Sequence, residues 1–297
     1  MIYTCTTNPS LDYFVSIESL KKGTSNRLDF EMYDAGGKGV NVSIVLNNFR
    51  ITSTALGFLG GFTKEYYVNH INNYPNIVPL FTTIADNTRI NVKIMEADSE
   101  TGLNAKGPKI TDEEFAKFKN RINKIYDDDT FVISGNIQDE IKDRMIDIIH
   151  ELADEKVKVV LDVDPDVTDR CLDCHPYIVK INDFYLKDKN MDALTAGKDL
   201  VNKGAQYVLY SNAGKPSYLF SKDETLTCKN LENNLINTTG SSDSLVAGAI
   251  YAFIKGASAV EAFKYANAAS LATSMSNDLG SKEKIEELVD TIEVESI

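Results

Sequence analysis

The stretch that decides the fold reads Asn237-Thr-Thr-Gly-Ser-Ser-Asp-Ser-Leu-Val-Ala-Gly248. A small polar turn containing Gly240 runs directly into an apolar helical stretch, and Asp243 lies at the junction. The first backbone N–H groups of a helix have no partner within the helix and carry the positive end of its dipole, so main chain alone can bind a phosphate there. This segment predicts an anion hole. An ordinary helix capped by Asp243 explains it equally well.

A second glycine-rich segment lies far upstream and reads Asp34-Ala-Gly-Gly-Lys-Gly-Val-Asn-Val-Ser43. Adjacent glycines before an apolar helical run indicate a backbone that approaches a ligand closely, and Lys38 can present a point charge to a phosphate. The spacing is neither that of a Walker A loop nor that of G-x-G-x-x-G. Most single loops of this kind are only turns. Together with Asn8-Pro-Ser-Leu-Asp12 and the segment around Gly240, however, it forms a specific set.

These segments resemble the PfkB carbohydrate kinases of the ribokinase fold, and within that family the branch of 1-phosphofructokinase and tagatose-6-phosphate kinase. The resemblance covers nearly the whole chain. Its most branch-specific piece is Thr88-Arg-Ile-Asn-Val-Lys93, which general sugar kinases do not carry. Other matching segments are residues 1–12, 26–27, 35–43, 56–63, 100–104, 107–108 and 134–135.

The resemblance implies roles for the residues at the start of the C-terminal helix. Asp243 is expected to accept the proton from the sugar hydroxyl as that hydroxyl attacks the γ-phosphate of ATP. The backbone of Gly240, Ser241 and Ser242 is expected to hold the charge that develops on the transferred oxygens. Mg²⁺ is expected to bridge the ATP phosphates, and no protein side chain is assigned as a metal ligand.

The resemblance also implies a substrate site and a nucleotide site. Lys38 and Arg89 are expected to hold the phosphate already on the sugar, while Asp12 and Asn41 take sugar hydroxyls. The other expected substrate contacts are Gly37, Asn91, Lys93, Asn104 and Gly135. The expected ATP contacts are Lys180, Asn182, Ser211, Gly214 and Asn267. The implied reaction is phosphorylation of fructose 1-phosphate to fructose 1,6-bisphosphate, with tagatose-6-phosphate kinase activity as the alternative.

Several departures from the family pattern keep a second hypothesis open. Ser242 replaces the second glycine of G-A-G-D, and a positive φ there would be strained. Tyr185 replaces the carboxylate that the family links to Mg²⁺ handling in K-P-N-x-x-E. The glycines of segment 211–217 are displaced, and Asn136 follows Gly135 where serine is usual. The alternative is a degenerate kinase that binds a sugar phosphate as a sensor or scaffold.

Alternating strand and helix patterns predict an α/β fold, a ribokinase-like three-layer α/β/α sandwich formed by one kinase domain over residues 1–297. Two stretches instead alternate with period two and predict a small β-sheet lid at residues 13–34 and 84–106. In the resembling family such lids often pair between two subunits, which predicts a homodimer. The predicted strands are 2–6, 54–58, 130–134, 156–163, 177–181 and 207–210, and the predicted helices are 40–49, 112–126, 139–152 and those starting at 243, 259 and 283.

The amino-acid composition argues against some classes of binding partner. The 297 residues carry a formal net charge of −13, which argues against nucleic acid because phosphate backbones require clustered Lys and Arg. No apolar run approaches about 18 residues, and the N-terminus does not read as an export signal, so we expect a cytoplasmic protein without membrane contacts. The four cysteines are then expected to be free thiols, including the Cys171-Leu-Asp-Cys174-His175 stretch, which otherwise has haem or metal spacing.

Overall fold

The structure is a computed structural model that describes residues 1–97, 99–212, 215–229, 236 and 239–297. Two sheets organise it, a large central one and a small one. In chain order the strands are β1 (Ile2–Thr6), β2 (Ser10–Ser16), β3 (Phe30–Gly36), β4 (Ser53–Gly60), β5 (Ile77–Pro79), β6 (Thr82–Ile84), β7 (Arg89–Met95), β8 (Glu100–Leu103), β9 (Thr130–Ser134), β10 (Lys158–Asp162), β11 (Ile178–Ile181), β12 (Tyr207–Tyr210), β13 (Ser217–Phe220), β14 (Thr225–Cys228) and β15 (Val294–Ser296).

Ten α-helices connect these strands in the described ranges. They are α1 (Lys38–Asn48), α2 (Gly61–Ile71), α3 (Asp112–Ile122), α4 (Asp139–Asp154), α5 (Pro165–Arg170), α6 (Asp183–Lys189), α7 (Ala193–Asn202), α8 (Ser241–Ile254), α9 (Ala259–Ser274) and α10 (Lys282–Val289).

The central sheet has the strand order β15-β14-β13-β12-β11-β10-β9-β1-β4-β5, with β6 also paired to β4. Pairing is parallel from β5 to β12, and β13, β14 and β15 add an antiparallel edge. Strands β4 and β9 are buried along their whole length, as expected for parallel strands covered on both faces. The carboxyl ends of the parallel strands therefore lie on one edge of the sheet, where ligands of open α/β sheets bind.

Helices cover both faces of this sheet. One core packs Phe118 of α3 and Met145 of α4 against the sheet, together with residues of α7. The core on the other face contains residues of α1, α8, α9 and α10, including Leu46 and Phe263. The predicted three-layer α/β/α sandwich is confirmed.

The small sheet has the order β3-β2-β7-β8. The segments predicted to form a lid supply all four of its strands, although β2 starts earlier, at Ser10, and β3 continues to Gly36. Asp12 pairs in register with Asp34 on one side and with Asn91 on the other, so these three residues share a face. The same face carries Arg89 and Lys93, because side chains alternate along a strand.

Some elements differ from the sequence prediction. Helix α2 occupies Gly61–Ile71 and was not among the predicted helices. Its buried residues are only Thr63, Tyr67 and Ile71, too few for a clear apolar period. The antiparallel edge strands were not predicted, and α3 ends at Ile122 rather than at 126.

The structure also tests the expectations about membrane-spanning helices and cysteines. In the described part of the chain, no helix is long and apolar enough to cross a membrane. All four cysteines are free, as predicted. Among those same residues, no group of three or more His, Cys, Asp or Glu side chains could hold a metal ion.

Candidate active site

The two glycine-rich loops converge, and each begins a helix. Gly37, with φ 147°, precedes α1, and Gly240, with φ 76°, precedes α8. Both φ values fall in the region that favours glycine. A Cβ on Gly240 would also lie 2.5 Å from Leu279 Cδ2. The loops are joined directly, because Asn41 Nδ2 donates a hydrogen bond of 2.7 Å to Asp243 Oδ2.

Ser242 does not carry the strain that its replacement of a glycine suggested. It lies in the first turn of α8, and it is not among the non-glycine residues with positive φ. The positive φ belongs to Gly240, one residue before the helix. The expectation of strain at Ser242 therefore does not apply. Its Oγ is buried and has no hydrogen-bond partner among the residues that the structure describes.

Asp243 is a buried carboxyl group with a perturbed pKa. It is only 4% exposed. Burial raises its pKa to about 6, the negative charge of Asp162 adds to this rise, and Lys38, Asn41 and Lys180 oppose it. A base whose pKa lies near the operating pH is suited to proton transfer, since it is ionised at neutral pH and can still hold a proton.

Asp162, which the sequence analysis did not assign, lies between two lysines. It ends strand β10 and is 4% exposed. Lys38 Nζ lies 3.2 Å and Lys180 Nζ 3.7 Å from its carboxylate oxygens. Burial favours the neutral acid, but the two lysines outweigh it and hold the pKa of Asp162 below its ordinary value. A usable signal was present in the sequence, namely a carboxylate ending a buried parallel strand.

Lys38 belongs to this charged cluster beside Asp243. The attraction of Asp162 raises the pKa of Lys38 against the effect of burial, and Asp243 contributes further. The side chain of Lys38 is still 42% exposed, so it can reach a ligand. The side chain of Lys180 is only 2% exposed, so it is the buried lysine of the cluster.

A cavity of about 240 Å³ opens at this cluster. Its lining includes Lys38, Gly135, Asn136, Asp162, Asp164, Lys180, Asn182 and Tyr185. Asn182 caps α6, because its Oδ1 accepts hydrogen bonds from the N–H groups of Phe184 and Tyr185. The hydroxyl of Tyr185 donates to Asp169 at 2.7 Å. Tyr185, which replaces the carboxylate of the family pattern, is thus hydrogen-bonded to Asp169, a residue that does not line the cavity.

The small sheet presents an ordered polar group at its base. Asp12 Oδ1 accepts hydrogen bonds from Ser10 Oγ at 2.6 Å and from Asn91 Nδ2 at 2.8 Å. Arg89 donates to the carbonyl oxygens of Ala105 at 2.9 Å and Asn8 at 3.0 Å. Burial lowers the pKa of Arg89, with Asp12 opposing the change, and in the described part of the chain its buried Nε has no hydrogen-bond partner.

The other predicted substrate contacts are divided between the small sheet and the charged cluster. Lys93 Nζ lies 3.9 Å from Glu100 Oε1 on the neighbouring strand. Asn104 is exposed beyond the end of β8. Gly135 has φ 100°, and its N–H donates to the carbonyl of Asp162 at 2.9 Å, so it lies beside the charged cluster.

The predicted nucleotide contacts are only partly brought together. Lys180 and Asn182 line the 240 Å³ cavity, and Ser211 follows β12, bonded through its N–H to Ile181. The side chain of Asn267 is engaged internally, since its Oδ1 accepts from Ser217 Oγ at 2.6 Å and its Nδ2 donates to the carbonyl of Phe263 at 2.8 Å. Gly214 lies outside the described residues.

Comparison with known proteins identifies the family. Residues 9–284 match the pfkB family carbohydrate kinase model. The chain is 33% identical to a 1-phosphofructokinase of Bacillus subtilis, with 99% of each chain covered. It is 32% identical to a D-tagatose-1-phosphate kinase of Bacillus licheniformis, with the same coverage. A structure of phosphofructokinase-2 from Escherichia coli with substrates and products has a TM-score of 0.92 at 20% identity, covering 98% of this chain and 99% of that one.

Proposed function

The chain belongs to the pfkB family of carbohydrate kinases, and we propose that its substrate is a phosphorylated ketohexose, in the first place fructose 1-phosphate. As a member of this family it is a phosphosugar kinase that transfers a phosphoryl group from ATP to a hydroxyl group. The observation that carries the proposal is the buried Asp243 at the junction of both glycine-rich loops. The name of the relative from Bacillus licheniformis adds tagatose 1-phosphate to the candidates, beside tagatose 6-phosphate.

In the proposed mechanism, Asp243 takes the proton of the attacking hydroxyl, for which a pKa of about 6 suits neutral pH. The backbone N–H groups at the start of α8 bind the oxygens of the transferred phosphoryl group. Lys38 is close enough to Asp243 for the charge of that carboxyl group to raise its pKa, so we assign it to neutralise charge on the transferred phosphoryl group as well as to contact the sugar phosphate. Lid closure excludes water and limits ATP hydrolysis.

The sugar is proposed to lie between Asp12 and Asp243. Asp12 is oriented by Ser10 and Asn91, which leaves a fixed carboxylate for sugar hydroxyls. Arg89 is the anchor for the sugar phosphate, because two backbone carbonyls orient its two terminal nitrogens and each of these nitrogens has a second N–H that can donate to a phosphate. Arginine is the better bidentate phosphate binder, and Lys93 on the same face adds a second positive charge.

Mg²⁺ is proposed as the cofactor of ATP. Oxygen donors suit this ion, and it commonly uses one or two carboxylates together with substrate phosphates. Asp164 lines the 240 Å³ cavity and occupies the N-cap position of α5 without making a capping hydrogen bond. Its carboxylate accepts one hydrogen bond, from Asn136 Nδ2 at 3.1 Å, and has further lone pairs for a cation, so we assign it to the metal, which would neutralise charge on the ATP phosphates. Asp164→Asn should raise the Mg²⁺ concentration needed for half-maximal rate.

A degenerate kinase is the second candidate, and one observation favours it. Tyr185 stands where the family pattern has a carboxylate, and its hydroxyl is bonded to Asp169. A coupled ADP-release assay over fructose 1-phosphate, tagatose 6-phosphate, tagatose 1-phosphate and fructose 6-phosphate separates the two. Turnover of one phosphosugar far above the others supports the kinase. Binding of a phosphosugar by calorimetry without turnover supports the sensor.

We also propose that residues 13–34 and 84–106 act as a lid within one domain and that two lids pair in a homodimer. The small sheet exposes large apolar side chains, among them Phe30 at 57% and Leu103 at 55% exposure. Exposed apolar patches of this kind mark interaction surfaces. In light scattering, Leu103→Glu should contain a smaller fraction of dimer than the wild type. Leu194→Glu, at an exposed leucine outside the lid, should contain the wild-type fraction.

We also propose that the protein is cytoplasmic.

A further inference from the structure

The candidate base is held by a side chain from the other glycine-rich loop. Asn41 lies in the first turn of α1, and its Nδ2 donates to Asp243 Oδ2 at 2.7 Å. The same Nδ2 lies 3.4 Å from the point where a Cβ on Gly240 would stand. Asn41 is therefore placed against both the turn that precedes α8 and the carboxylate in its first turn.

We propose that Asn41 is a positioning residue for Asp243 and acts through this base. The inference rests on the proposed function and adds to the expected contact between Asn41 and a sugar hydroxyl. An asparagine amide has two N–H donors and one acceptor oxygen. One N–H on Asp243 leaves the second N–H and the oxygen for the substrate, so both roles are compatible in one side chain.

The hydrogen bond has a geometric consequence. A carboxylate rotates about a broad, roughly two-fold torsion, so burial alone does not fix the orientation of its plane. The bond from Asn41 to one oxygen holds that plane, so that the other oxygen can face the reacting hydroxyl. Proton transfer requires the base within hydrogen-bond reach of the proton, and small misplacements cost rate.

The bond also has an electrostatic consequence. The charged groups that act on Asp243 are Asp162 from β10, Lys38 from α1 and Lys180 from β11. Asp162 disfavours the ionised base, whereas both lysines and the hydrogen bond from Asn41 favour it. Loss of the Asn41 amide should therefore raise the pKa of Asp243 above about 6.

The kinetic test compares Asn41→Ala and Asn41→Ser with Asn47→Ala, which removes an asparagine from the last turn of the same helix. For the Asn41 variants we expect kcat to fall on the order of 10- to 100-fold, the effect of losing a hydrogen bond to a charged group. The acid limb of the plot of kcat/KM against pH should move to higher pH by about one unit, because the pKa of Asp243 rises. Asn47→Ala should keep the wild-type profile. A raised KM for the sugar with an unchanged kcat and pH profile would leave Asn41 as a sugar ligand only and overturn the proposal.

A second readout does not depend on turnover. Asp-selective ¹³C labelling allows the carboxyl signal of Asp243 to be titrated, with the signal assigned by its disappearance in Asp243→Asn. The titration midpoint should be higher in folded Asn41→Ser than in the wild type, and an equal midpoint would refute the proposal. Absence of kinase activity in the wild type would instead count against the proposed function, and the titration would still decide the role of Asn41.

Discussion

Replacing Asp243 with asparagine should slow the enzyme and stabilise the fold, and both effects follow from the burial of this carboxyl group. Asn retains the shape and can still accept the hydrogen bond from Asn41, but it cannot take a proton. As general base, Asp243 should contribute roughly 10²–10⁴-fold to kcat. Affinity for the sugar phosphate should change little, because Arg89 supplies much of that binding in the proposed site.

The stability effect can be worked out from the pKa. The ordinary value for Asp243 is 3.8 and the folded value is about 6, a difference of about two pH units. Each unit corresponds to about 1.4 kcal/mol, so the ionised carboxylate costs the native state up to about 3 kcal/mol. A group with a raised folded pKa contributes stability below its unfolded pKa and loses it as the pH rises through the folded pKa. The neutral Asn variant avoids that loss.

Calorimetric unfolding at pH 4.5 and pH 8 tests this reasoning. Asp243→Asn should be more stable than the wild type by about 2–3 kcal/mol at pH 8 and by about 1 kcal/mol at pH 4.5. At pH 8 this corresponds to a rise in Tm on the order of 5 °C. Asp223→Asn, at an exposed carboxylate, should stay within about 0.5 kcal/mol at both pH values. An Asp243→Asn variant with the same advantage at both pH values would refute the argument, and turnover near wild type would remove the base assignment.

Three further substitutions test other parts of the site. Asp162→Asn leaves Lys180 buried without its partner, so the free energy of unfolding should fall by about 3–5 kcal/mol. The acid limb of the kcat/KM profile should move to lower pH, because a charge that raises the pKa of Asp243 is gone. An unchanged pH profile would contradict the coupling between the two carboxyl groups. Arg89→Ala should weaken binding of the phosphosugar by about 2–5 kcal/mol while the KM for ATP changes little, and calorimetry with an unchanged sugar affinity would remove the lid assignment. Ser242→Gly should leave kcat within about two-fold of the wild type. It should lower the free energy of unfolding by up to about 1 kcal/mol, because glycine is unfavourable at a helical position. A large increase in kcat would show that the serine impairs the site.

The sequence alone determined the architecture and the two ligand loops. Buried parallel strands read as continuous apolar runs, so β9 and β12 were predicted with the ends that the structure has. The period-two segments predicted the small sheet because alternation is a local property of a strand. The glycines before α1 and α8 were recognisable because a backbone with positive φ favours glycine at those points.

Local patterns failed where long-range contacts maintain the element. Helix α2 has a weak apolar period, yet it supports the small sheet, with the hydroxyls of Tyr66 and Tyr67 bonded to the carbonyls of Tyr33 and Gly36. Strand β15 is three residues long and exists through its pairing with β14, which lies far away in the sequence. Such elements depend on distant neighbours that no local period encodes.

Only the tertiary structure decided how the charges of the site are coupled. Asn41 and Asp243 are 202 residues apart, and Lys38 and Asp162 are 124 apart, yet each pair is in direct contact. The sequence could nominate Asp243 by its position at a helix start, but its raised pKa depends on burial and on the charge of Asp162. Proton affinity is set by the local dielectric and by neighbouring charges, and both exist only once the chain has folded.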